Sequence, residues 1–338
     1  MRQFALSIVL IFTAGWASAF ETEDFARFGP SDSQTVLKIV STADIRFFEP
    51  MIASFIAAQP GTAIDYTVVS STELQKAIVE EGAAFDIAIS SAMDLQTKLA
   101  NDGWVQRYEI RSIDALPDWA VWNDMLFAFT QEPAAIVVSK SGLGNLPIPR
   151  DRHDLINLLR QHPDVFRGRV GTYDVRQSGL GYLFATQDTR ASETYWRLTE
   201  VMGALDAQLY CCSSDMIEAV KTGELLIAYN VLASYAFNRE DRDDFAIILP
   251  SDFTSVMLRT AMIPRNSQSA ELAGLFVDHL MIRSHGSEFK LLTHPALNLN
   301  QIEVALNRIR IGPGLLVYLD QLKKRAFLSE WENAIVQN

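Results

Sequence analysis

Three pairs of hydroxyl residues, Ser41-Thr42, Ser70-Ser71 and Ser90-Ser91, each end a short apolar run and stand directly ahead of a segment with helical spacing. A hydroxyl in that position caps a helix, and the same geometry can hold an oxyanion, because the first-turn N–H groups point outward with partial positive charge. One such pair is explained by capping alone. Three along the chain read as a site lined by neutral donors. The stretch "RVGTYDVRQSGLGYLF" has the same layout with charge added: an apolar run, then Tyr173, Asp174, Arg176, Ser178 and Gly179. A guanidinium takes a carboxylate or phosphate through two parallel hydrogen bonds. The competing reading of Arg176 is a surface arginine beside an ordinary helix cap.

Nucleotide and catalytic chemistry fail on spacing. Gly179-Leu180-Gly181 supplies only GxG, not GxGxxG, and no Lys-Ser or Lys-Thr follows as a phosphate loop requires. The five histidines, at 153, 162, 279, 285 and 294, form no HExxH and no i, i+4 pair, so zinc has little support. There is no GxSxG elbow. Lys221-Thr222-Gly223 and Ser287-Glu288-Phe289-Lys290 look like β-lactamase fragments, but in the wrong order. No cofactor is expected.

Residues 1–19 have a short basic start, an apolar middle and Ala17-Ser18-Ala19, the pattern of a removable secretion signal cleaved before Phe20. Its loss takes Arg2 and no acid, so the net charge of −12 becomes −13. That balance disfavours nucleic acid and anionic membranes as partners but leaves an anionic small ligand open, since a pocket is governed by local donors. The two cysteines, Cys211 and Cys212, are adjacent and cannot staple a loop. They read as two packed thiols, with a strained vicinal disulfide as the alternative in an oxidising compartment.

Short apolar runs alternate with helical patterns along the rest of the chain. Strands are expected at Val36–Val40, Ala63–Val69 and Phe85–Ile89, with helices near Thr72–Glu81 and Met93–Asn101, after a loose arm over 20–34. Residues 125–147 hold two apolar runs separated by Gln131-Glu132-Pro133, able to carry the chain between lobes. A second series follows, with strands at Arg169–Tyr173, Gln208–Tyr210, Leu225–Tyr229 and Phe245–Pro250 and a return strand at Ser255–Pro264. The alternation implies βαβ units and parallel sheets, with ligands at the carboxyl ends of the strands. At ~150 residues per domain, the length suggests two units.

Taken in order, "STADIRFFEPMIASFIAAQPGTAIDY", "FDIAISSAMDLQTKLANDGWV", "GTYDVRQSGLGYLFATQD", "GELLIAYNVLASYA" and "RIGPGLLVYLDQLKKRAFLSEW" resemble bacterial periplasmic solute-binding proteins of ABC transporters, in the branch with ferric-ion, phosphosugar and phosphoglycerate-regulatory members. The resemblance implies an α/β, two-lobed periplasmic-binding-protein-like fold (type II) with a ligand cleft between lobes joined by crossing strands. Lobe one would comprise 20–131 and 254–290, lobe two 132–253 and 291–338. It also implies ligand contacts from Ser41, Thr42, Ser70, Ser71, Ser90 and Ser91, from Tyr173 to Gly179, and from Tyr229 and Asn230. Arg259 on the return strand is a further anion contact or a hinge residue. Ferric binders use adjacent tyrosines, whereas Tyr229 and Tyr235 are separated, which disfavours iron.

The expected function is a monomeric, non-enzymatic periplasmic receptor for a small anionic organic ligand: a phosphorylated sugar, phosphoglycerate or carboxylate. Its partner would be an ABC transporter permease or a sensor histidine kinase. The tail from Gly312-Pro313-Gly314 either packs on a lobe or offers a surface to that partner. A ferric-ion carrier and a secreted hydrolase are the alternatives.

Overall fold

The computed structural model describes residues 20–111, 116–286 and 294–337. The expected signal segment, 1–19, and the expected lobe boundary at 290/291 lie outside them. No described helix is long and apolar enough to cross a membrane.

The first series of elements is β1 (Asp24–Phe28), β2 (Thr35–Ser41), α1 (Ile45–Ala58), β3 (Thr62–Val68), α2 (Ser71–Val79), β4 (Ile87–Ser90), α3 (Met93–Asn101) and β5 (Val121–Trp122). Strand β6 (Leu126–Ser139) leads to α4 (Lys140–Leu143), α5 (Arg152–Gln161), α6 (Pro163–Phe166), β7 (Val170–Tyr173), α7 (Gly179–Ala191), α8 (Thr194–Ala204), β8 (Gln208–Tyr210), α9 (Ser213–Thr222), β9 (Ile227–Leu232), α10 (Ala233–Phe237) and β10 (Phe245–Ile248). The return is β11 (Thr254–Met262), α11 (Ala270–His285), β12 (Leu306–Arg308) and α12 (Gln321–Ile335).

The strands line up in the order β1-β3-β2-β4-β11-β6-β9-β7-β8. Within each lobe the strands that precede helices are parallel: β2 with β3 and β4, and β7 with β8 and β9. The central strands β4, β7 and β9 are buried along their whole length, whereas β2 exposes Lys38 and the edge strand β8 exposes Gln208. The lobes join through β6, whose first half pairs antiparallel with β11 and whose second half pairs with β9 and β10. At ~3.3 Å per residue a strand of this length reaches through both lobes.

Helix α1 shows how the local pattern serves the sheet. Phe48, Met51, Ile52 and Phe55 fall on one face and are buried, with Phe48 stacked on Tyr66 of β3 at 5.5 Å. The arm expected over 20–34 contains β1, which adds to the edge of the first lobe by pairing antiparallel with β3. The C-terminal segment touches both lobes. Strand β12 lies along β11, the turn at Pro313–Leu319 packs on α3, and α12 buries Phe327, Trp331 and Ile335 against Tyr195 and Leu198 of α8.

Candidate ligand cleft

Six βα turns, those after β2, β3, β4, β7, β8 and β9, open on the same gap between the lobes. The gap narrows to a partly open cavity of about 60 Å³ whose walls include Thr42, Ser70, Ser71 and Ser91 from the first lobe. Tyr173, Ser178, Ser213, Ser214 and Tyr235 face them from the second. The lobes are drawn together across it: Thr72 Oγ1 donates to the Gln177 carbonyl at 3.1 Å, and Ser214 Oγ donates to Asp44 Oδ2 at 2.8 Å. Gly179 permits this approach, because a Cβ there would stand 2.7 Å from the Ser71 Cβ.

Five helices have their N-cap residue in the cavity wall: α1 at Asp44, α2 at Ser70, α7 at Ser178, α9 at Cys212 and α10 at Leu232. Ser70 Oγ caps α2 by accepting the Glu73 N–H at 3.2 Å, and Ser178 Oγ caps α7 by accepting the Gly181 N–H at 3.1 Å. Helix α9 begins at Cys212, which makes no side-chain cap. Thr42 Oγ1 lies 3.4 Å from Ser91 Oγ and accepts the Ser91 N–H, tying two first-lobe loops together. Ser41 and Ser90, the other halves of their pairs, are buried and accept the N–H groups of Ala43 and Ala92; they shape the loops and do not line the cavity.

The remaining expected contacts are placed elsewhere. Arg176 turns back on Asp174, meeting both its carboxylate oxygens at 2.8 and 2.7 Å, and its guanidinium stands 5.6 Å over the Trp331 ring. A carboxylate two residues away thus captures the charge that was expected in the cleft, and neither Asp174 nor Arg176 is among the lining residues. Tyr229 and Asn230 face the interior of the second lobe, where both donate to Asp188 Oδ2 at 2.9 Å. Asn230 adopts a left-handed φ of 63° to do so. Arg259 is buried at the crossing strands in a pair with Glu132, at 2.9 Å from Nε and 3.3 Å from NH2. Its NH1 has no hydrogen-bond partner among the described residues.

The sequence reading missed Glu23, Asp44, Cys211, Cys212, Ser213 and Ser214 as lining residues. Four of these follow β8 at the start of α9, so the rule that selected the first-lobe loops would have found them. Glu23 precedes an edge strand and carried no signal. The acids crowd one end of the cleft. Burial pushes Glu23 above the ordinary carboxylate range, and the charges of Asp215 and Asp44 add to the shift. Asp215 is raised in the same direction by burial and by Asp44. Burial also raises the phenols of Tyr173 and Tyr235, which keeps them neutral donors. The Tyr173 hydroxyl lies 2.5 Å from Ser213 Oγ.

Cys211 and Cys212 form a vicinal disulfide, the alternative to the packed thiols expected. With Asp215 they make a group compact enough for a metal, but sulfurs committed to each other leave one carboxylate as ligand.

Residues 37–284 match the family of bacterial extracellular solute-binding proteins. The chain belongs to that family. The substrate-binding protein of an ABC transporter from Agrobacterium tumefaciens is 31% identical over 92% of this chain and 98% of its own, with a TM-score of 0.85. This solute-binding protein is therefore a substrate-binding component of the ABC-transporter type, with the type II periplasmic-binding-protein fold. More distant solved structures share that fold. The periplasmic binding protein AfuA from Actinobacillus pleuropneumoniae, with fructose 6-phosphate bound, is 16% identical over 90% of this chain and 99% of its own (TM-score 0.73). Iron-bound HitA from Pseudomonas aeruginosa is 15% identical over 89% and 99% (TM-score 0.64). No curated protein matches the sequence.

Proposed function

We propose that this solute-binding protein is exported to the periplasm, captures a small phosphorylated polyol such as a sugar phosphate or phosphoglycerate, and presents it without chemical change to an ABC permease. One observation carries the reading: the N-termini of α2, α7 and α9 converge on a cavity that also holds Asp44 and Glu23 and opens on an adjoining groove of about 640 Å³. Oriented N–H groups suit an oxyanion. The carboxyl oxygens can accept hydrogen bonds from the hydroxyls of the same ligand. AfuA, a relative in fold, has a phosphorylated sugar bound. Ferric iron is disfavoured by phenols held protonated through burial and by the lack of an adjacent tyrosine pair.

Titration calorimetry with glucose 6-phosphate, 3-phosphoglycerate, citrate and glucose tests the proposal. Tight binding of a phosphorylated member, recovered intact, with no response to glucose is the expected result. Binding of citrate alone, or a tyrosinate-to-iron absorption band on adding ferric salt, would overturn it.

A further inference from the structure

The disulfide between Cys211 and Cys212 closes no loop of chain. Disulfides stabilise chiefly by restricting the unfolded state, and the effect grows with the number of residues enclosed, so a bond between neighbours contributes little by that route. Its place in the fold suggests another use. Both cysteines line the cavity, and both also line the groove at its mouth, together with Glu23, Asp44 and Ser214. The disulfide is thus the wall shared by the two spaces.

Position and chemistry agree. Cys212 holds the N-cap position of α9 in extended backbone, φ −134° and ψ 149°, where Ser70 and Ser178 hold the same position in α2 and α7. Those serines use their hydroxyls on the helix's own N–H groups. A sulfur bonded to its neighbour is a weak acceptor, so the first turn of α9 keeps its donors. The next residue, Ser213, is fixed by Tyr173 and by the Leu232 N–H, at 2.5 and 2.9 Å. The wall is held from behind, and its sulfurs present an apolar, polarizable face between the hydroxyls of Ser213 and Ser214 and the carboxylates of Asp44 and Asp215.

We propose that the Cys211–Cys212 disulfide is part of the ligand-binding surface: it packs against the carbon skeleton of the bound solute, so that affinity depends on the intact bond. The inference rests on the phosphorylated-polyol reading of the cavity. Reduction adds two electrons and two protons and yields two thiols, freeing both side chains to rotate into the cavity and Cys212 to turn towards α9.

The test compares the full chain under oxidising conditions, after reduction by dithiothreitol, which is itself oxidised to its cyclic disulfide, and as the double variant Cys211→Ala, Cys212→Ala. Thiol titration of the denatured oxidised protein should find no free thiol. Binding of glucose 6-phosphate, or of the phosphorylated probe in the calorimetric panel that binds tightest, should weaken at least tenfold in the reduced protein and in the double variant, while Tm stays within about 2 °C. Equal affinity in all three forms, two free thiols in the oxidised form, or a collapse of Tm on reduction would each overturn the inference and leave the phosphorylated-polyol reading standing. Failure of every phosphorylated probe in every form would overturn that reading, and the inference with it.

Discussion

Asp188, buried in the second lobe, shows how much one side chain can organise. Its Oδ2 accepts from Arg152, Tyr229 and Asn230 at 3.3, 2.9 and 2.9 Å, and its Oδ1 accepts from Ser255 of the return strand at 2.9 Å. Arg152 also reaches Asp252 and the Phe253 carbonyl and is wholly buried. Removing one partner of a buried pair leaves the other charge uncompensated, which costs about 3–5 kcal/mol. Asp188→Ala should therefore lower unfolding stability by about that amount in urea denaturation; a loss under about 1 kcal/mol would show that the network does not hold the lobe. Arg176→Ala tests the opposite case. Its guanidinium is partly exposed and engaged with Asp174 and Glu332 outside the cavity, so stability should change by about 1 kcal/mol or less and calorimetric affinity should stay near that of the parent. A tenfold loss of affinity would return it to the site. The Asp174 contact of Arg176 was not read from the sequence, where both residues were expected to face the ligand. Nor was the inward turn of Tyr229, because Asp188 and Arg152 come from distant turns of the chain.

Helix α3 carries the clearest pH-sensitive group. Asp94 is buried on it, its Oδ1 accepting the Leu95 N–H at 2.9 Å, where α3 meets α7 and the Pro313–Leu319 turn. Tyr182 of α7 and Lys324 of α12 are the titratable groups that act on it. Burial is the largest influence and pushes its pKa up from 3.8 to about 7, against the opposing pull of backbone N–H groups and Lys324. The folded protein thus holds a proton that the unfolded chain releases near pH 4. Its contribution is full below that point and falls by about 1.4 kcal/mol per pH unit until the folded group ionises near 7. Differential scanning calorimetry should show Tm declining between about pH 4 and 7, and Asp94→Asn should flatten that decline. An unchanged slope in the variant would exclude Asp94 as its source. Elements of this kind were well read from sequence: α3 was expected at Met93–Asn101 and is found there, and β8 matches at Gln208–Tyr210. The polar stretch of β1 was missed because its pairing comes from β3, and β6 was read as two runs because Pro133 and its polar neighbours interrupt the apolar pattern of one continuous strand.

At the scale of the whole molecule, function depends on two lobes meeting. Their existence was legible in the alternation of strands and helices, but the residues that touch across the cleft were not. Thr72 and Gln177 are 105 residues apart, and Asp44 and Ser214 are 170 apart. Gly179 is the point where this meeting is most exacting. It is the first residue of α7, and a Cβ there would lie 2.7 Å from Ser71 Cβ and 2.9 Å from Leu95 Cδ1, both on the opposite lobe. Those contacts arise only when the cleft is closed, so a larger side chain would burden the closed form and spare each lobe's own core. Ligand affinity includes the free energy of closure, and a variant that disfavours the closed state weakens binding in proportion. Gly179→Val should therefore bind the phosphorylated probe at least tenfold more weakly while keeping the parent Tm without ligand. Small-angle scattering should find that added ligand compacts the parent and leaves the variant extended. Equal compaction and equal affinity in both would show that the two helix ends do not meet when ligand is held.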